Sequence, residues 1–485
     1  MHPALLVDEI LQLIFEISLD DEKSSLCRAA RCCKAWKDPA LDRIWRRLPS
    51  AIPLLSLLPG CSVEKGTIHL NHLVQAEKCG VFRLYAVRVK HIVHHHSVLG
   101  DLPAHLSYPL DNLGTSRIES RSIGDVVLHM SLSSRLRAFV LHIGYTKSDS
   151  ASTSMHMILS RLKKCSALER LSVRGHSSTC LQTPLGALAT LHSLSLHLSS
   201  LTEQTFMAVS ALPLLGDLDI HADRLSLDNL AVAISEHCDS TAFFPSLQKL
   251  RIRAEPGLLE LLCRYLPQDK LHSLHIDSTA PSLPSAWAAP FRAIATVASE
   301  LHYFTIEHSI IVSESEDTPT YPIDKFFTID HFRPLSKLPL RRFVLDSWLP
   351  PDFSDADIEE MTKWWPLLNR LDLGALTALE NTEASWKPRI SLASLSTLAK
   401  GCKGLQSLVI ALDADGALAV PQPVPQGSHP LASLFISSRS RPDTSSLSAM
   451  LLKIFPSLIE VTPGFVGDHA DAWQVVQSTF SSSAA

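Results

Sequence analysis

Apolar residues recur along most of the chain in the pattern L-x-x-L-x-L, in which phenylalanine, valine or isoleucine sometimes replaces leucine. Strong copies begin at Leu136, Leu168, Leu191, Leu215, Leu247, Leu271, Leu301, Leu340, Leu368 and Leu405, and weaker copies begin at Phe82, Leu431 and Leu458. Apolar and polar positions alternate at the end of each copy, which is typical of a strand that is buried on one face. The pattern therefore predicts a series of short strands.

Helical periodicity fills the intervals between these strands. Helices are predicted at residues 155–165, 226–238, 256–266, 354–365 and 443–455, and Ser226, Ser354 and Pro256 suit their first turns. Parallel strands need a crossover, which is usually a helix, so the alternation predicts a right-handed stack with strands on one wall and helices on the other. This α/β repeat resembles a leucine-rich-repeat arc, although the copies from Leu136 to Leu458 lie an irregular 23 to 39 residues apart.

One feature of that family is missing. Many leucine-rich repeats carry an asparagine after the strand, whereas the equivalent turns here carry residues such as His176, Glu255 and Thr279. Other hydrogen bonds must therefore satisfy the backbone of these turns.

The first fifty residues carry three short helical patterns. Residues 8–17 place a stripe of apolar residues on one face of a helix, namely Ile10, Leu11, Ile14 and Ile17. A second pattern covers residues 24–36. Asp38 and Pro39 suit the N-cap and first turn of a third helix that ends at Pro49.

These residues resemble the F-box of fungal F-box proteins. The similarity covers LLVDEILQLIF at residues 5–15 and LCRAARCCKAWKDPALDRIWRRL at residues 26–48. It includes the E-I-L sequence that starts at Glu9, the C-x-x-W sequence that ends at Trp36 and the L-x-x-x-W sequence that ends at Trp45. The chain departs from the family at Val7, where many F-boxes have proline.

The resemblance implies a binding site. In that family the module docks on the Skp linker of a cullin-based ubiquitin ligase. The implied linker-binding residues are Leu5, Leu6, Ile10, Leu11, Ile14, Leu26, Trp36, Leu41 and Trp45. The alternative is a helical cap that seals the first repeat and binds no linker.

The resemblances and the composition together divide the chain into four parts. Residues 1–50 form the F-box-like helical module, residues 51–79 a connecting helical segment, residues 80–465 the irregular leucine-rich-repeat arc, and residues 466–485 a C-terminal cap with a flexible tail. Polar or proline-rich insertions at residues 100–122, 313–322 and 413–430 are predicted loops, and the serine-rich tail after Gln477 is expected to fray.

Side chains alternate along a strand, so the residues between the leucines share an open wall. Candidate target-binding residues on that wall are Arg170, Arg174, Lys249, Arg251, Arg253, His275 and Tyr303. Three cations on one strand, from Lys249 to Arg253, suit a phosphorylated or acidic peptide. The alternative is a solvated face that Asp219 and Asp277 neutralise.

Other conspicuous residues have simpler explanations. Trp287, Trp348, Trp364 and Trp365 are candidate binding anchors, but tryptophans at helical positions are more often core. Four histidines, at positions 91, 94, 95 and 96, resemble a metal tract, yet no cysteine or carboxylate accompanies them, and a solvated turn is favoured. No metal or cofactor is predicted.

Composition narrows the classes of function. The chain is 46% hydrophobic and 19% charged, so it can bury a large core. Its formal net charge of −5, from 44 basic and 49 acidic residues, gives no basis for a nucleic-acid or membrane partner. The ten cysteines show no CxxC pair, and neither a signal peptide nor a membrane span is predicted, which favours the cytosol or nucleus.

Three functions remain open. The first is a substrate-recognition adaptor of a Skp-cullin-F-box ubiquitin ligase whose repeats bind an unknown target protein. The second is a repeat scaffold outside any ligase. The third, an enzyme, is disfavoured because GxSxG, HExxH, GxGxxG and P-loop motifs are absent and the S-x-x-K match at Ser160 and Lys163 stands alone; an enzyme would show a pocket with ionisable residues of shifted pKa.

Overall fold

The computed structural model divides the chain into two compact units, Met1–Leu215 and Gly216–Ala485. It describes residues 7–21, 23–64, 67–70, 79–95, 97–99, 110–119, 130–145, 149–176, 181–237, 243–279, 282–308, 324, 326–347, 351–374, 387–414, 429–438, 440–464 and 469–481. No helix in that part of the chain has the length and apolar character needed to cross a bilayer.

Unit 1 begins with three helices, α1 (Asp8–Asp21), α2 (Lys23–Cys32) and α3 (Lys34–Arg46). Their boundaries differ from the prediction, because extended backbone at Cys33, with φ −158° and ψ 166°, ends α2 early and starts α3 there. Pro39 consequently lies inside α3 instead of in its first turn. The first four N–H groups of a helix have no intrahelical acceptor. Pro39 is the sixth residue of α3, so its missing N–H costs the helix one backbone hydrogen bond.

Two sheets follow in unit 1. Its strands are β1 (Arg47–Leu48), β2 (Cys61–Glu64), β3 (Thr67–Leu70), β4 (His91–His94), β5 (Ser97–Leu99), β6 (Thr115–Glu119), β7 (Ala138–His142), β8 (Arg170–Gly175) and β9 (Ser193–Leu198). The larger sheet has the order β1-β4-β6-β7-β8-β9 with every pair parallel. In the smaller sheet β3 pairs antiparallel with β2 and parallel with β5.

The connection after the first helices is not the helical segment predicted for residues 51–79. Its described residues hold one helical turn, α4 (Ile52–Leu55), and then the β2–β3 hairpin. Gly60, at a φ of 79°, provides the left-handed backbone that turns the chain into β2.

Two other predictions for unit 1 were wrong. The weak repeat copy at Phe82 is helix α5 (Gly80–Ala86), because Phe82 and Ala86, four residues apart, share its buried face. The loop predicted for residues 100–122 contains β6, which pairs on both edges and buries Ile118. The remaining helices of unit 1 are α6 (Asp149–Leu162), α7 (Gln182–Gly186) and α8 (Glu203–Ser210).

Unit 2 is a regular alternation of parallel strands and helices. Its strands are β10 (Asp217–His221), β11 (Lys249–Arg253), β12 (Ser273–Ser278), β13 (Tyr303–His308), β14 (Arg342–Ser347), β15 (Arg370–Asp372), β16 (Ser407–Ala411), β17 (Ser433–Ser437) and β18 (Glu460–Pro463). Neighbours in the chain are neighbours in the sheet. Its helices are α9 (Leu227–His237), α10 (Pro256–Cys263), α11 (Ala288–Val297), α12 (Ile329–Phe332), α13 (Asp355–Trp364), α14 (Ala393–Gly401), α15 (Thr444–Ile454) and α16 (Ala470–Ser481). Short 3-10 turns at Pro284–Trp287 and Arg333–Lys337 complete it.

This architecture confirms the predicted fold class, a short helical module followed by leucine-rich-repeat-like strands and helices. The strand leucines and isoleucines are buried and the residues between them are mostly exposed or half-buried, as in β11, where Leu250 and Ile252 are buried. Ser226 and Ser354 accept hydrogen bonds from the third residue beyond them, so both caps are confirmed.

Backbone hydrogen bonds satisfy turns that follow the strands, as where the Ala222 N–H, just after β10, donates to the Arg253 carbonyl at 2.8 Å. Backbone bonds also connect the strands at their entries. At the entry of β9, for example, the Glu169 carbonyl accepts from the N–H groups of both His192 and Ser193, at 2.8 and 3.0 Å. The same arrangement recurs in unit 2 at the carbonyls of Gly216, Gln248, His272, His302, Arg341, Asn369, Gln406 and Ala432. Each repeat is thereby joined to the next without a side-chain ladder.

The C-terminal segment is more ordered than predicted. Helix α16 continues to Ser481, well past Gln477, because Trp473, Val476 and Phe480 recur at helical spacing and are buried. The Trp473 indole also donates to the Ser440 carbonyl at 3.3 Å. The predicted loop at residues 313–322 lies outside the described residues, as does most of the loop at residues 413–430.

Candidate functional site

Four buried side chains, from all three N-terminal helices, form the core of residues 8–48. They are Leu11, Phe15, Leu26 and Ala40. Trp36 packs against this cluster, and its ring meets Phe15 edge to face with the centroids 6.0 Å apart. The three helices therefore form one small hydrophobic module.

Arg43 connects the third helix of this module to the first. Its guanidinium nitrogens lie 3.1 and 2.8 Å from the two carboxylate oxygens of Glu16, and Nη2 also donates to the Gln12 carbonyl at 3.2 Å. The arginine is 7% exposed. A bidentate pair of this kind fixes orientation as well as adding energy.

The other face of α1 is apolar and open to solvent. Its exposed side chains are Ile10 (38%), Leu13 (63%), Ile14 (38%) and Ile17 (72%), and Val7 (41%) lies directly before the helix. Their spacing of three or four residues places them along one side of the helix. We call these five residues the α1 stripe. An exposed apolar stripe of this length is typical of a protein-binding surface.

The module is also attached to the sheet of unit 1. The Trp45 ring packs on Tyr85 of α5 with the centroids 4.5 Å apart. Arg88 pairs with Asp38, at 2.6 Å, and with Asp42. Since β1 follows α3 directly and pairs with β4, the module is continuous with the first strands.

A family model described as F-box-like matches residues 8–48 of this chain. Residues 8–48 are an F-box-like module. A leucine-rich-repeat protein of Leptospira interrogans is similar in structure, with a TM-score of 0.36 and 12% identity over 81% of this chain and 88% of that one. No curated protein sequence matches the chain.

The structure divides the predicted linker-binding residues of the F-box-like module into three groups. Ile10 and Ile14 belong to the exposed α1 stripe, while Leu11 and Leu26 are 1% and 0% exposed and support the module from inside. The half-buried residues are Trp36, Leu41 and Trp45. Leu5 and Leu6 lie outside the described residues.

Sequence reasoning missed the two most exposed members of the stripe as site residues. Leu13 and Ile17 are 63% and 72% exposed. The signal was present, because α1 carries more apolar residues than a small three-helix core can bury. Only the positions of α2 and α3 show which of them remain outside.

The outward face of β6–β9 in unit 1 is rich in arginine and histidine. Its row at the carboxyl ends of the strands runs Glu119, His142, Arg174 and His197 in lateral register. Burial lowers the pKa of His142, as do the nearby Arg117 and Arg174, while Glu119 opposes them. His142 is therefore neutral at pH 7.

Glu119 is the centre of a charge cluster on this face. His95 Nδ1 lies 2.9 Å from one carboxylate oxygen and His142 Nδ1 lies 3.6 Å from the other. Arg117 on the same strand also pairs with it. Arg170 and Arg174, both predicted target-binding residues, are exposed on β8.

Of the three cations predicted as a binding row in unit 2, two form ion pairs and the third lies beside a carboxylate. Arg253 Nη2 lies 2.7 Å from Asp277, and Arg251 lies 3.9 Å from Glu307. Lys249 is adjacent to Asp217, where its charge opposes the rise in the pKa of Asp217 that burial causes. The neutralised alternative is thus favoured for this row, with Asp277 in the expected place.

The two other predicted target-binding residues lie on the neighbouring strands. His275 Nε2 is 2.7 Å from Glu307, and burial lowers the pKa of His275, although Glu307 opposes it. Tyr303 is 43% exposed at the start of β13. Its side chain is on the outward face of the sheet, because Tyr303 alternates with the buried Phe304.

The structure also tests the tryptophan and histidine predictions. Trp287 and Trp365 are buried, which confirms that they are core. Trp364 is half-buried, and the Arg333 guanidinium lies 5.7 Å from its ring centroid. Trp348 lies outside the described residues.

The solvated turn predicted for the histidine run was wrong for residues 91–94, which form strand β4. Burial lowers the pKa of His94 to about 3.

A pocket of about 440 Å³ opens between the F-box-like module and β4. Its lining residues are Lys23, Arg43, Ile44, Arg47, Leu48, Pro49, His91 and Val93. Burial lowers the pKa of His91, and Arg47, Arg46 and Lys90 lower it further. No carboxylate, serine or cysteine is among these lining residues.

Proposed function

We propose that the chain is a substrate-recognition adaptor of a Skp-cullin-F-box ubiquitin ligase. The F-box-like module docks on the Skp linker, and the strand faces bind the target protein. The exposed α1 stripe, on a module that matches the F-box-like family model, carries this proposal. The adaptor raises the effective concentration of the target near the ubiquitin-charged enzyme and contributes no catalytic residue.

The α1 stripe supplies the apolar contact in this proposal. Leu13 and Ile17 expose the largest fractions of their side chains, so they offer the most apolar surface to the linker. Burying apolar surface contributes about 25 cal/mol per Å². Val7, which replaces the proline common in the family, extends the same surface and is 41% exposed.

The proposal includes a compartment. The cysteines that the structure describes all carry free thiols. This fits the reducing cytosol or nucleus. Neither a nucleic acid nor a membrane is a proposed partner, and the kinship with fungal members of the family stays a prediction.

A scaffold without a ligase is the second candidate. It is favoured by the continuity of α3 with β1, which pairs with β4, and by the contact of Trp45 with Tyr85. In this alternative the F-box-like module only covers the first strands. The chain then binds no Skp linker, and the α1 stripe has no role in a ligase.

Co-purification with the Skp linker separates the two candidates. The test variant is Leu13→Asp plus Ile17→Asp, which places charges on the α1 stripe without touching the core of the module. The matched control is Val232→Asp plus Val475→Asp, at helix residues of unit 2 that are 55% and 53% exposed. Circular dichroism checks that all three proteins fold.

The adaptor role predicts that wild type and control bind the linker and that the stripe variant loses at least tenfold in affinity, or ~1.4 kcal/mol. A folded wild type that does not bind the linker overturns the adaptor role in favour of the scaffold. Unchanged binding by the stripe variant would show that the α1 stripe is not the docking surface.

A further inference from the structure

The outward face of β6–β9 has an unbalanced charge. Among the outward residues of these described strands, the cations are Arg117, Arg170 and Arg174, and Glu119 is the single carboxylate. Glu119 is already paired with Arg117 and approached by His95 and His142. An anionic partner is therefore the complement of this face.

Two of these cations are available to a partner. Arg170 and Arg174 are exposed on β8, and their guanidinium groups have no carboxylate within ion-pair distance in the described part of the chain. In unit 2, by contrast, Arg251 and Arg253 each reach a carboxylate. A ligand at β8 gains attraction without first breaking an ion pair.

We propose that this face of unit 1 binds an acidic, extended segment of a partner protein. Residues in a strand rise by about 3.3 Å each, so Arg170 and Arg174 are roughly 13 Å apart along β8. An extended segment presents residues i and i+4 at the same spacing and on the same side. Two carboxylates in that relation therefore reach both arginines at once.

The distribution of the cations also argues for several charges instead of one. The two available cations, Arg170 and Arg174, are roughly 13 Å apart along β8. A single phosphate needs cations that converge on one point. Here they are spread along one strand, which matches a run of carboxylates.

The imidazoles beside Arg174 complete the surface. His142 and His197 are its register partners on β7 and β9. Ser195 Oγ lies 3.4 Å from His197 Nε2, and the Tyr145 hydroxyl donates to the His197 carbonyl at 3.3 Å. These side chains add polar groups beside the two arginines.

An acidic, extended segment is the kind of target that the proposed adaptor would bind. Only the description of that segment as part of a ligase target rests on the proposed function. The test uses the full chain and a labelled peptide of alternating glutamate and serine, with binding followed by fluorescence anisotropy. The test variant is Arg170→Gln plus Arg174→Gln. The matched control, Lys163→Gln plus Lys164→Gln, removes the same charge from exposed positions directly after α6, away from the strands.

We expect wild type and control to bind the peptide equally, and the β8 variant to bind it at least tenfold more weakly. No binding by wild type, or equal losses in both variants, overturns the proposal. A peptide whose only charged side chain is one phosphoserine, if it binds more tightly than the glutamate peptide, also overturns the proposal, in favour of a single-anion site. Linker binding is measured separately, so the peptide result can be interpreted even if the chain binds no Skp linker.

Discussion

Trp45 of the F-box-like module packs on Tyr85 of α5, with the ring centroids 4.5 Å apart. The sequence resemblance assigned Trp45 to linker binding, but this contact gives it a structural role between the module and the rest of unit 1. Trp45 is half-buried, and the neighbouring Arg88 reaches Asp38 and Asp42 across the same junction. Loss of linker binding in a Trp45 variant would therefore not by itself identify a linker contact.

Replacing Trp45 by alanine should lower the stability of the junction. A fully buried tryptophan costs about 3 to 5 kcal/mol when truncated, and we expect about half of that at a half-buried position. Urea unfolding measures the loss, and hydrogen exchange in peptides from α3 and α5 localises it. Leu13→Ala, at a 63% exposed position, is the control and should change stability by less than about 0.5 kcal/mol. A Trp45→Ala protein of wild-type stability would contradict the structural role.

The Arg43–Glu16 pair predicts an asymmetry between its two partners. Arg43→Ala should destabilise the module by about 2 kcal/mol, because the arginine is 7% exposed and also holds the Gln12 carbonyl. Glu16→Gln should cost less than about 1 kcal/mol, since the Glu16 side chain is 55% exposed. Limited proteolysis of the module and its thermal unfolding report both changes. Equal costs for the two substitutions would show that the ion pair alone matters.

Unit 1 should lose stability in acid because of His94. Its pKa is lowered from 6.5 to about 3, chiefly by burial, so below pH 6.5 the unfolded chain binds a proton that the folded chain does not. The stability contributed by the neutral imidazole is present above pH 6.5 and falls by up to about 1.4 kcal/mol per pH unit as the pH drops toward 3. Hydrogen exchange in peptides covering β4, compared at pH 7.5 and 5.5, measures this loss.

The variant His94→Leu should retain near wild-type stability at pH 7.5 and lose less at pH 5.5. Its apolar side chain suits the site, because the His94 Nε2 atom has no hydrogen-bond partner within the described residues. His192→Leu, at an exposed position, is the matched control and should behave as wild type. The same acid sensitivity in the His94 variant would assign the effect to other groups.

Asp355 should contribute more to the stability of unit 2 than the neighbouring Ser354, which forms the N-cap of α13. Its carboxylate accepts hydrogen bonds from the Ser391 N–H at 2.8 Å, from the Ser391 hydroxyl at 2.6 Å and from Ser394, and so joins α13 to the next repeat. Asp355→Ala should cost about 2 to 3 kcal/mol. Ser354→Ala, which removes the N-cap, should cost about 1 kcal/mol.

Thermal unfolding of the two single variants tests this order. Asp355→Asn is the matched substitution, since it keeps an oxygen acceptor for Ser391 and loses the charge. We expect its cost to lie between those of the other two. A Ser354→Ala variant that is the least stable of the three would contradict the prediction.

The repeat pattern predicted most of the strands because one physical rule repeats in every copy. Leu250 and Ile252 in β11 are buried, and the residues between them point outward, as the alternation requires. The same rule misassigned Phe82, whose short apolar run is compatible with a strand or a helix. It also gave no information on His94, whose strand is recognisable only from its partners β1 and β6.

The candidate sites were predicted less completely. The sequence identified the F-box-like module and the strand positions that face outward, but it could not rank Leu13 above Leu11 or Arg174 above Arg253. The exposure of a leucine and the ion pairing of an arginine depend on which side chains contact that residue in the folded chain. Asp277 reaches Arg253 from the next strand, and no corresponding carboxylate lies on the strands beside Arg174.

The sequence by itself determined strands β7 to β18, their outward positions and the three-helix module, because periodicity of apolar residues is a local property of the chain. Tertiary structure decided which apolar face of α1 remains exposed, where helices begin around Cys33 and Pro39, and which arginines are paired. Burial and ion pairing depend on residues that are distant in sequence, as Arg43 and Glu16 are, and these meet only when the chain is folded.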